Sequence, residues 1–132
     1  HTVCTTIHSN SCNSTYRRMM TLAKRKYNMD DSVLMQIMVE AYPVVVFTKQ
    51  LEDRSRKIME IIEGEDYLDG KLLYRSLYKY EVVDNVTLEG GETHVVGHHR
   101  KMCSISDGLI KRLLDNGISH KELEEFTGKV VD

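Results

Sequence analysis

Gln36-Ile37-Met38-Val39-Glu40-Ala41-Tyr42-Pro43-Val44-Val45-Val46-Phe47 changes its period at the proline. Ahead of it, Val33, Leu34, Ile37, Met38 and Ala41 recur at helical spacing, which predicts a helix starting near Asp31 or Ser32. Pro43 has no N–H to donate and pushes Tyr42 toward extended backbone, so the helix stops there. Val44 to Phe47 is then uninterrupted and mostly β-branched, the pattern of a strand covered on both faces. A helix delivered straight into a strand places the chain in the α/β class.

Downstream, the polar patch Gln50 to Ser55 reads as a hairpin turn, and Lys57 to Ile62 as a strand returning antiparallel to the first. Upstream, Tyr16, Met19, Met20, Ala23 and Tyr27 form one face of a helix whose other side carries Arg17, Arg18, Lys24 and Arg25. The polar stretch His8 to Ser14 supplies N-caps for it. Before that, the β-branched residues of Thr2 to Ile7 read as a short strand.

Glu63 to Gly70 is acidic, holds two glycines, and is the best boundary in the chain. It divides residues 1–63 from residues 64–132. Beyond it, Leu72 to Val82 reads as a long strand, with Leu73 and Leu77 on one face and Tyr74, Tyr78 and Tyr80 on the other. Gly90-Gly91 marks a loop, and His94 to Cys103 looks extended. Ser106 caps a helix with Leu109, Ile110, Leu113 and Leu114, closed by Asn116-Gly117. Ser119 and Glu122 have capping-box spacing for a last helix that turns Leu123 and Phe126 inward and ends at Gly128.

The chain has 132 residues, enough for a single core. With 41% apolar and 29% charged residues and nine Gly or Pro, it is neither disordered nor collagen-like. A net charge of −2 argues against direct nucleic-acid binding. No apolar run approaches the roughly 20 residues of a membrane-spanning helix. The first residues do not read as a signal peptide. Three cysteines leave one unpaired, which favours a reducing compartment, the cytoplasm. Residues 1–63 carry +2 and residues 64–132 carry −4. The basic part suits an anion such as a nucleotide phosphate, or simply a solvated helix face.

Chemistry concentrates where the opening strand meets the first helix. His8 would lie at the C-terminal end of a strand, where open α/β sheets place ligands. A neutral imidazole there can orient a phosphate or its attacking water, and a helix N-terminus adds free N–H groups. A structural or capping role for His8 fits the spacing equally well. His1 lies at the other end of the same strand, roughly 20 Å away, so one straight strand does not converge both rings.

His1-Thr2-Val3-Cys4-Thr5-Thr6-Ile7-His8-Ser9-Asn10-Ser11, followed by Arg17-Arg18-Met19-Met20-Thr21-Leu22, resembles the histidine box of the secretion ATPases. These drive type II and type IV secretion, conjugation and pilus assembly. Gln36 to Val46 is similar to the family's helix-to-strand passage, and Glu52 to Ile61 to the hairpin after it. Ser106 to Phe126 resembles the closing helices of the tight-adherence pilus and conjugation branch. Tyr42-Pro43 departs from the family's small-residue and Asp pairing, and Glu89 to His99 has no counterpart. The chain has no Walker A sequence and no acidic Walker B strand ahead of His1.

The resemblance therefore implies a C-terminal piece of an ATPase domain: the final part of a RecA-like core over residues 1–63, then a small α+β subdomain over residues 64–132. It implies ATP and magnesium in the intact parent protein and none for the fragment, which would be inactive alone. His1 and His8 match the two box histidines, and Asn10 the polar residue that follows. Arg17, Arg18, Arg54 and Arg56 are basic positions for a neighbouring subunit's phosphate; the plain alternative is a surface ion pair. Implied partners are the other subunits of a homohexamer and an inner-membrane secretion or pilus component. The implied location is cytoplasmic, or peripheral at the inner face of the cell membrane.

Two other function classes compete. Residues 64–132 would suit a non-enzymatic module that docks a membrane component through Glu122, Glu124 and Glu125. A metal-dependent regulator would use Cys4, His8 and Cys12, or His94, His98, His99 and Cys103, although neither spacing is that of a usual zinc site.

Overall fold

A computed structural model describes residues 3–128 and 131. Among the described residues, four helices and one four-stranded sheet make a mixed α/β structure. Helices α1 (Cys12–Ala23) and α2 (Asp31–Ala41) come first. Strands β1 (Val44–Gln50), β2 (Arg56–Leu68), β3 (Lys71–Thr87) and β4 (Thr93–Lys101) follow, then α3 (Asp107–Asp115) and α4 (His120–Thr127). The strands pair in sequence order, every neighbour antiparallel. Among the described residues, no helix is long and apolar enough to cross a membrane.

The sheet separates two cores. Ile62 is fully buried with Cys12, Tyr16, Met35 and Val39 under α1 and α2. Its neighbour Ile61 packs with Leu77, Ile105, Leu109 and Leu123 under α3 and α4. Successive strand residues point to opposite faces, so the two helix pairs lie on opposite sides of the sheet.

Several sequence expectations change. Val3 to Ile7 forms no strand and is largely exposed, because β-propensity is realised only against a neighbouring strand and none lies beside it. Val45 and Phe47 pack inward while Val44 and Val46 are 44% and 51% exposed, so β1 is covered on one face. The proposed division after Glu63 falls inside β2, which pairs with β3 on both sides of it. A shift in register between Ile61 and Ile62 places both Leu77 and Tyr78 against the second core, so the simple alternation expected of β3 fails. Phe126 faces outward, 58% exposed, while Leu123 fills the core.

The helix ends follow their local chemistry. Ser11, Ser106 and Ser119 each accept a backbone N–H at an N-cap, and Ser119 with Glu122 completes a capping box. Gly128 ends α4 at φ 70°, a left-handed conformation that costs glycine little.

Candidate functional site

Three of the described residues at the start of α1 turn side chains toward one another. Ser11 accepts from the Ser14 amide, and the Ser9, Ser11 and Ser14 hydroxyls are hydrogen-bonded among themselves. This small network fixes the approach of the chain into the helix. Along α1, Ser14, Arg17, Arg18 and Thr21 recur every three or four residues and so share one side of it.

The result is an open concavity of about 570 Å³ lined by His8, Ser9, Asn10, Ser14, Arg17, Arg18 and Thr21. It gathers four of the residues anticipated from sequence: His8, Asn10, Arg17 and Arg18. His8 and Asn10 are exposed, on irregular backbone rather than at a strand end. Neither arginine is in an ion pair among the described residues. The first turn of α1 carries no acidic residue, so nothing there opposes an anion. Chemically, the concavity offers two fork-shaped cations, an imidazole and an amide.

Arg54 and Arg56 do not line this concavity. Arg54 sits in the β1–β2 turn with φ 64°, its carbonyl accepting from Gln50 Nε2, and Arg56 begins β2. His1 lies outside the described residues.

A larger concavity, about 720 Å³, opens between α2, β2 and α3. Glu40, Glu63, Glu65 and Asp66 line it with Arg112, so it disfavours a phosphate. The start of α3 is closed as well: Glu63, 3% exposed, accepts from both the amide and the hydroxyl of Ser106.

Arg17 also borders a third concavity, of about 370 Å³, whose floor is Met20, Met35 and Leu72 with Tyr67 and Tyr74 beside it. Sequence reading missed it, since these residues meet only after the β2–β3 turn folds back to α1 and no short-range spacing marks them.

The two metal-ligand sets are dispersed. The Cys12 thiol is buried against the carbonyls of Val45 and Glu60. His98 lies 3.5 Å from Glu81, His99 contacts the Ile58 carbonyl at 2.9 Å, and Cys103 donates to the Ser76 carbonyl. No group of three or more His, Cys, Asp or Glu is arranged to hold a metal ion among the described residues. No protein-family model matches the chain, and comparison with curated proteins gives no match.

Proposed function

We propose that this chain is the C-terminal portion of a secretion or pilus-assembly ATPase, contributing the histidine-box wall of a nucleotide site. One observation carries the reading: His8, Asn10, Arg17 and Arg18, which resemble the family's box, line a single acid-free concavity. In this reading the phosphate loop and magnesium-binding carboxylates come from a segment N-terminal to the box. The RecA-like assignment of residues 1–63 belongs to the same proposal, as do a hexameric ring and an inner-membrane partner that receives its motion.

The residues suit phosphoryl transfer, which depends on positioning and charge stabilisation rather than covalent chemistry. His8 would orient the attacking water or sense the terminal phosphate. Asn10 would hold the loop, and an arginine would neutralise the charge that develops on phosphate oxygens.

The experiment has two parts. Titrating the 132-residue chain with magnesium pyrophosphate should shift amide resonances of Ser9 to Thr21, with affinity of about 1 mM or weaker, and produce no ATP turnover. In the longer ATPase, His8→Ala should lower turnover about 100-fold or more, as loss of a positioned acid–base group does. Turnover by the chain alone, or shifts confined to the acidic concavity, would overturn the proposal.

A further inference from the structure

The cleft of about 370 Å³ beside Arg17 has two rigid walls. One is α1, which carries Arg17 and Met20 three residues apart on one side of the helix. The other is the β2–β3 hairpin, where Leu68 pairs with Lys71 and only two residues make the turn. Those two, Asp69 and Gly70, both have positive φ, 50° and 74°, as a tight hairpin turn requires. Across the hairpin Tyr67 pairs directly with Leu72, and Tyr74 lies two residues further on, so these side chains stand on the α1 side. Met35, 5% exposed, makes the floor continuous with the packed core.

The polar groups of the cleft have one sign. Arg17 and Lys71 line it, no Asp or Glu does, and neither cation is in an ion pair among the described residues. The Tyr67 and Tyr74 hydroxyls have no hydrogen-bond partner among the described residues. Two cations and two free hydroxyls above an apolar floor fit an anionic group on an apolar body. Tyrosine rings and methionine sulfurs favour a flat π-system over an aliphatic chain as that body. The volume lies near the lower end of the roughly 300–1,000 Å³ of small-molecule sites, room for one ring system. The histidine concavity offers cations without an aromatic wall, and the acidic one repels anions.

We propose that this cleft binds a small aromatic anion, a single ring system bearing a phosphate or a carboxylate. The ring lies against Tyr67, Tyr74 and the two methionines, and Arg17 and Lys71 hold the anionic group. The Arg17 guanidinium forks onto two of its oxygens, while Lys71 supplies a point charge. The cleft shares only Arg17 with the histidine concavity, and the proposal does not depend on the nucleotide reading.

The test titrates the 132-residue chain with phenyl phosphate, followed by NMR. The methyl resonances of Met20 and Met35 and the amides of residues 67–74 should shift, with a Kd of about 1 mM. Inorganic phosphate and benzyl alcohol, each half of the probe, should bind at least about tenfold more weakly. Lys71→Gln and Tyr74→Ala alter exposed residues outside the histidine concavity. Each should keep native circular dichroism and weaken phenyl phosphate at least about threefold. Benzoate identifies the head group: whichever of the two aromatic anions binds more tightly names it, and either ranking supports the site. Shifts confined to Ser9 to Thr21, equal affinity for phenyl and inorganic phosphate, or variants that bind as the unaltered chain does would each overturn the proposal.

Discussion

At the scale of single residues, the tightest constraints surround α1. A Cβ at Gly64 would lie 2.5 Å from Tyr16 Oη, the hydroxyl that donates to the Tyr42 carbonyl. Gly64→Ala should therefore destabilise the fold by about 1–3 kcal/mol, measured by urea denaturation, because the ring has no room to retreat from a closed core. Cys12 is a second marker. Burial, and then the charge of Glu60, push its thiol from an ordinary value of 9.0 up to about 12. Burial raises the Tyr16 phenol in the same direction. The folded state thus keeps protons that the unfolded chain releases. Stability should be fully retained below pH 9 and fall as pH rises toward 12, with Cys12→Ala flattening that fall. In the native protein at pH 8, a thiol reagent should modify exposed Cys4 promptly and Cys12 only on unfolding. Equal rates would contradict the burial of Cys12.

At the scale of elements, the two long hairpins are latched to each other. In the β1–β2 turn, Asp53 accepts from the Ser55 hydroxyl and amide and, across the sheet, from the Val95 amide of β4. The Ser55 hydroxyl, then the Val95 and Ser55 amides, hold its carboxyl down at about 2. A lowered carboxyl contributes stability above its ordinary range near pH 4, and that contribution is lost as pH falls toward 2. Asp53→Asn should remove this acid sensitivity and speed hydrogen exchange at the Val95 amide, followed by NMR. Close packing also holds β3 against β4: Gly97 leaves room for the Tyr80 ring, which meets His99 edge-on at 5.0 Å. At α4, Ser119→Ala should cost about 1 kcal/mol by removing the cap, measured by thermal unfolding. Element identity was largely legible for the helices, because caps and apolar stripes act within a few residues. The opening strand was not, since its hydrogen bonds require a partner that sequence spacing does not reveal.

At the scale of the whole molecule, one sheet joins both helix pairs; Glu63 is one link, and Arg112 of α3, donating to the Glu40 carbonyl of α2 at 2.9 Å, is another. The buried Glu63 carboxylate leaves β2 and holds the start of α3 through Ser106. Arg75, its partner in the β2–β3 register, reaches the Ser104 carbonyl at 3.3 Å. The chain should therefore unfold in a single transition, with Cys12 thiol exposure and far-ultraviolet circular dichroism coinciding. Glu63→Ala leaves the half-buried amide and hydroxyl of Ser106 without their acceptor and should cost about 1–3 kcal/mol, measured by urea denaturation. Exposure of the α3–α4 core ahead of Cys12 in that variant would identify Glu63 as a coupling between the two faces.

From α1 onward, the order of helices and strands, the serine caps of α3 and α4 and the proline stop at residue 43 were determined by sequence alone, because each depends on interactions spanning only a few residues. That His8, Asn10, Arg17 and Arg18 line one concavity was decided by the structure, because the irregular backbone before α1 sets where His8 and Asn10 lie beside that helix. Only the tertiary structure decided that β2 runs on through Glu63, that Phe126 faces out, and that Tyr67, Lys71 and Tyr74 meet α1. Those outcomes depend on strand register, where one bulge changes which side chains are buried, and on contacts between residues some fifty positions apart.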